Sequence, residues 1–138
     1  STQGYSSAAS DVYKRQIRRS EDAGAYFVAK FMYEVNEICY ALLLNSSNGI
    51  IACKEISRGV VNATEVGIRM LVEAAIKSNA AAVIIAHNHP GALPLPSKED
   101  EYCTRLVKKA LELVDIKLLD HIIVGGKEFQ SLNKNGLM

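Results

Sequence analysis

The chain has 138 residues, enough for one domain with a core of its own. Its hydrophobic share is 49% and its formal net charge is +1, which excludes a disordered polyelectrolyte and any nucleic-acid binder that works by an overall basic excess. No apolar run reaches the length of a membrane span and no secretory leader is evident. Three cysteines without C-x-x-C spacing (Cys39, Cys53, Cys103) point to reduced thiols in a cytoplasmic protein.

In chain order, residues 1–10 are small and polar without a period, as in a disordered tail. Asp11-Val12-Tyr13-Lys14-Arg15-Gln16 resembles translated sequencing-adapter read-through, so residues 1–19 are read as a tail that need not be native, and the domain as 20–138. Lys14, Arg15, Arg18 and Arg19 form a small basic cluster. A solvated tail accounts for it and leaves a nucleic-acid partner with weak support. Residues 20–34 read as a helix capped by Ser20, with Glu21 and Asp22 in the first turn and Ala23, Tyr26, Phe27, Lys30 and Phe31 at helical spacing. A strand over 38–44, an Asn48-Gly49 turn and a strand over 50–57 make a hairpin that Gly59 ends. Asn62-Ala63-Thr64-Glu65 has capping-box character, and the helix it opens runs to about residue 78, with Val66, Met70, Leu71, Ala74 and Ala75 on one face. Val83, Ile84 and Ile85 form a β-branched run typical of a buried strand, which stops at His87-Asn88-His89.

Pro90, Pro94 and Pro96 then forbid regular structure until Ser97. The helix after Ser97 is expected to bury Cys103, Leu106, Val107, Ala110, Leu111 and Val114, and to expose Lys98, Glu101, Arg105, Lys108, Lys109 and Glu112. A strand over 117–124, a turn at Gly125-Gly126 and a return strand over 129–132 complete the order α-β-β-α-β-α-β-β. The fold class is therefore α/β, a single mixed sheet flanked by helices.

Side chains at i and i+2 of a strand share a face, so His87 and His89 emerge together where the strand stops. Asp100 lies one stiff loop later, in the first turn of the next helix. Two imidazoles and a carboxylate can supply the three protein ligands of a catalytic zinc site, which keeps its fourth position for water. A plainer account makes Ser97 an N-cap, worth about 1 kcal/mol, Asp100 a partner of the helix dipole, and the histidines polar loop residues. Against it, the chain has three histidines in all, and two share one face beside a carboxylate. An apolar strand has no need of that.

His87-x-His89-Pro90 followed by Ser97-x-x-Asp100 resembles the JAMM motif of MPN-type metalloproteases, H-x-H-P-x6-S-x-x-D. The wider chain resembles the C-terminal JAB domain of the bacterial RadC family, through Leu44-Asn45, Gly59-x-Val61-Asn62, Arg69, Asn79-Ala80-Ala81, Pro96-Ser97 and Leu119-Asp120-His121-Ile122. These matches cover about residues 35–131. Gly91-Ala92 stands where that family usually has Ser-Gly, and Ile68-Arg69-Met70 where it has Pro-Arg-Glu, differences that bear on substrate contacts more than on metal. The resemblance implies a cytidine-deaminase-like JAB/MPN fold, Zn2+ held by His87, His89 and Asp100, and hydrolysis of a peptide or isopeptide bond in a peptide or protein substrate.

Such chemistry needs a general base beside the metal-bound water. Glu34, Glu37 and Glu55 compete for that place. Glu37 precedes the first strand at the position matching the RadC-like pattern, and Glu55 comes next. The resemblance also gives the Ser97 hydroxyl a part in stabilising the oxyanion, in competition with its capping role. His121 reads as a structural histidine bonded within the sheet, or as an outer partner of the metal ligands. Two other functions stay open: a RadC-like accessory to DNA repair or mobile elements, and a non-catalytic MPN interaction module. The helix-hairpin-helix region of longer RadC proteins is not seen in this sequence, and an intact ligand set speaks against the non-catalytic module.

Overall fold

A computed structural model of the chain describes residues 16–59 and 65–138. Its elements are α1 (Ser20–Phe31), β1 (Ile38–Leu44), β2 (Ile50–Arg58), α2 (Glu65–Lys77), β3 (Ala82–Asn88), α3 (Lys98–Glu112), β4 (Lys117–Gly125) and β5 (Glu128–Ser131). The strands form one mixed sheet in the order β2-β1-β3-β4-β5. β1 runs antiparallel to both β2 and β3, β3 runs parallel to β4 through the α3 crossover, and β5 returns antiparallel to β4. The fold is α/β, consistent with a JAB/MPN domain. No helix among the described residues is long and apolar enough to cross a membrane.

Strand alternation divides the core in two. One half packs Ile38, Leu42, Leu44, Ile84, Ile122 and Val124 against Phe27 and Phe31 of α1. The other packs Leu43, Val83 and Ile85 against Leu71 and Ala75 of α2 and Val107 and Leu111 of α3. Helices cover both faces, so the central β3 is buried at every position and reads as a continuous apolar run until its histidines. Each Leu or Ile buried this way contributes about 1.5–3 kcal/mol.

Several boundaries differ from the sequence reading. The domain takes in residues before 20: the Ile17 N–H donates to the Asn48 carbonyl, and the Ile17 side chain joins the α1 half of the core. The rest of the expected tail, residues 1–15, lies outside the described residues, as does the cap expected at Asn62. Ser20 begins α1 but does not cap it. Arg19 is the N-cap residue, and the Asp22 carboxylate accepts from the N–H groups of Arg18 (2.9 Å) and Arg19 (3.1 Å). α1 stops at Phe31 and not at residue 34, because its buried stripe ends there and Met32, Tyr33 and Val35 face solvent. Val114 is exposed, beyond the end of α3, whereas Thr104 is fully buried.

One irregularity lies beside the histidine strand. The β3–β4 register slips between Val83–Leu118 and Ile84–Asp120, leaving Leu119 as an extra residue. Such a bulge reverses the phase of a strand. Leu118 faces α2 and α3, and regular alternation would turn His121 away from them; after the bulge His121 faces α3, beside His87. Asp120 pins the bulge. Its buried carboxylate accepts from Ser131 Oγ (2.6 Å), the His121 N–H (2.7 Å) and the Asn133 N–H (3.1 Å). Asp120→Ala strands these donors at about 1–3 kcal/mol for each buried one. Urea unfolding should therefore show a loss of about 2–4 kcal/mol, and a loss under about 0.5 kcal/mol would mean that Asp120 does not hold the bulge.

Candidate metal centre

The site lies where β3 ends. Val83, Ile85 and His87 share the face toward α3, so His87 is carried into a buried position, 3% exposed. His89 follows at the start of the loop, its N–H held by the Val124 carbonyl at the end of β4 (2.7 Å). Asp100 is the third residue of α3. Ser97 and Asp100 form a reciprocal capping box: the Asp100 N–H donates to Ser97 Oγ (3.0 Å), and the Ser97 N–H donates to Asp100 Oδ2 (2.8 Å). The box that starts the helix thereby orients the carboxylate.

The two histidines and the aspartate converge. His87 Nε2 lies 3.0 Å from His89 Nε2 and 3.2 Å from Asp100 Oδ1, and His89 Nε2 lies 3.7 Å from Asp100 Oδ2. One ligand atom from each falls within 4.8 Å of the others, a group that can hold a metal ion. The His89 Nδ1 lies 3.2 Å from the Leu93 carbonyl. A carbonyl only accepts, so that nitrogen carries its proton and Nε2 is left bare toward the cluster.

Electrostatics favour nitrogen and oxygen donors. Burial alone would raise the Asp100 carboxyl, but its contacts with His87 and Ser97 hold it well below the usual carboxylate range. Two cysteines lie close enough to feel Asp100. Burial, with a contribution from Asp100, pushes the Cys39 thiol up to about 12 and the Cys103 thiol up to about 11. Both stay protonated at neutral pH, and a thiol in that state is a poor ligand.

Behind the cluster, His87 Nδ1 meets His121 Nε2 at 2.7 Å, and His121 Nδ1 meets Thr104 Oγ1 at 2.6 Å. Burial pushes the His121 imidazole well below its ordinary value. His121 thus bonds to a side chain of the cluster as well as lying within the sheet. Thr104 was not legible as a site residue. Its signal was a hydroxyl at i+4 from Asp100, on the helix face that also carries Val107 and Leu111.

Of the three carboxylates that could serve as a base, Glu34 and Glu55 are engaged by Arg58. Glu55 pairs with Tyr40 across β1–β2, on the α1 side. Its carboxylate meets Arg58 at 2.6 Å, and Arg58 also reaches Glu34 at 3.4 Å. Both are thus tied up away from the histidines. Glu37 is exposed and stands one residue before β1, its carbonyl accepting the Gly59 N–H (2.8 Å), and Cys39, two residues on, is the register partner of His87. Asn88, given no role by the sequence reading, clips this segment to the histidine strand. Its Oδ1 accepts the Ile38 N–H (2.7 Å), and its Nδ2 donates to the Asn36 carbonyl (2.9 Å).

A family model described as "RadC-like JAB domain" matches residues 17–137. A UPF0758 protein of Neisseria meningitidis serogroup C is 47% identical over 102 residues, covering 74% of this chain and 45% of that protein. UPF0758 proteins of Desulforudis audaxviator (40% over 121 residues; 88% of this chain, 53% of theirs) and Nitrosococcus oceani (42% over 113; 82% and 50%) are similar too. The chain spans about half the length of the curated relatives it matches.

The loop that carries His89 rests on Gly125. A Cβ there would lie 2.3 Å from the Ala92 carbonyl oxygen and 2.7 Å from the Pro94 nitrogen, both backbone atoms. Gly125→Ala should push the loop outward and break the contact of Leu93 with His89. Zinc affinity measured by competition with a chelator should fall by about 10–100-fold while the circular dichroism spectrum is kept. Unchanged affinity would show that the loop does not set the histidine.

Proposed function

The chain belongs to the RadC-like JAB domain family, and from that premise we propose that it is a zinc-dependent hydrolase of peptide or isopeptide bonds. The observation that carries this reading is the convergence of His87, His89 and Asp100. Two imidazoles and a carboxylate suit zinc, and neither Cys39 nor Cys103 belongs to the converging group. Zinc bound there supplies a polarised water with a pKa brought toward neutrality.

The remaining work falls to side chains of this chain. Glu37 lies between Asn36 and Ile38, the two residues that Asn88 clips to the end of the histidine strand, which supports its part as the base that takes the proton of the attacking water and hands it to the leaving amine. Ser97 has a use beyond capping. Its oxygen accepts the Asp100 N–H through a lone pair, which leaves the hydroxyl proton to donate to the oxyanion that forms at the scissile carbonyl. The two roles conflict less than the sequence suggests, because accepting and donating use different parts of one hydroxyl. The partner is an extended peptide or protein substrate, and the protein works in the cytoplasm.

Metal analysis and a peptidase assay over a panel of peptides and isopeptide-linked conjugates test this together. Wild-type protein should hold about one zinc per chain and cleave a member of the panel, and His89→Ala should lose both. Glu37→Gln should keep zinc but lose about 10²–10⁴-fold in rate, the contribution of general-base catalysis. Equal zinc binding by wild type and His89→Ala would dispose of the metal site. An undiminished rate for Glu37→Gln would remove that residue as the base.

A further inference from the structure

The contacts behind the cluster fix the positions of protons. The Thr104 hydroxyl lies 2.6 Å from the Asp100 backbone carbonyl, which can only accept. Its single proton is spent there, so toward His121 the hydroxyl oxygen accepts, and His121 Nδ1 is the donor across their 2.6 Å contact. A neutral imidazole has one N–H, which leaves His121 Nε2 as an acceptor. The proton in its 2.7 Å contact with His87 then belongs to His87 Nδ1. A neutral His87 is then left with a bare Nε2, the atom that faces His89 and Asp100.

Resting on the metal reading above, we propose that Thr104 and His121 are positioning residues that lock His87 in the tautomer able to ligate metal through Nε2. The imidazole of His121 meets His87 and Thr104 and no carboxylate oxygen among the described residues, and the residue is 2% exposed, so a neutral ring suits the place. The chain of donors ends on the helix that supplies Asp100, so α3 orders two of the three ligands. It holds Asp100 through the capping box and His87 through Thr104 and His121. The β4 bulge is what brings His121 into line.

Two arms test this. Long-range proton–nitrogen correlation NMR on metal-free, isotope-labelled wild-type protein should show protons on Nδ1 of both His87 and His121, with Nε2 bare in each. A proton on His87 Nε2 would overturn the proposal whether or not the protein takes up zinc. The second arm measures zinc affinity with the metal itself. Thr104→Val keeps the shape and removes the hydroxyl, and should weaken zinc by about 10–100-fold, whereas Thr104→Ser restores the hydroxyl and should stay within about threefold of wild type. A Thr104→Val protein that folds and binds zinc like wild type would overturn the proposal. If that variant does not fold, the NMR arm on wild type still decides. Wild-type protein that binds no zinc would defeat the proposed function and leave the tautomer result to stand or fall alone.

Discussion

Strand β3 is buried on both faces, and its period of two governs everything beyond it. The face that carries Val83 and Ile85 into the α2–α3 core delivers His87 to the cluster. The other face, carrying Ala82, Ile84 and Ala86, delivers Asn88 to the segment that precedes β1. A slip of one residue in this strand would exchange the two and put an amide where His87 stands. Close packing makes that slip costly, because every apolar side chain of β3 would change faces with it. The same burial that stabilises the sheet therefore sets the register of the site.

Around this strand the site is assembled from pieces that each have a structural reason to be in place. The capping box begins α3 and aims Asp100. The β4 bulge, held by Asp120, turns His121 inward. Gly125 lets the proline-rich loop lie against the end of β4, so that the Leu93 carbonyl meets His89. Little of the ligand geometry is left to exposed, mobile side chains. That is what a metal centre requires, since ligands already held by outer hydrogen bonds lose little freedom on binding.

The parts of this arrangement that the sequence made legible are those built from short-range spacing. His87 and His89 share a face because strands alternate, and Ser97 with Asp100 reads as a cap because helices start that way. The chain order of elements followed from apolar periodicity and from Pro and Gly. What was not legible depends on contacts between segments far apart in the chain. Thr104 is an ordinary helix residue until His121 is brought to it, and His121 arrives only through a bulge that leaves no mark in the pattern of Leu118 and Leu119. Glu37 ranked ahead of Glu55 on the family resemblance, and the pairing of Glu55 with Tyr40 on the α1 side is visible only in the folded chain. Ile17 lay in a stretch whose composition suggested a tail, and its place in the core depends on the turn of a hairpin about thirty residues on.

On the proposed reading, the end of β3 and the start of α3 together make a nitrogen-and-oxygen zinc site beside two half-buried thiols. X-ray absorption spectroscopy of the zinc-loaded protein tests it directly. The account predicts an inner shell of nitrogen and oxygen alone at about 2.0–2.1 Å, with the outer-shell signature of two imidazoles. A sulfur shell at about 2.3 Å would bring Cys39 or Cys103 into the coordination and contradict it.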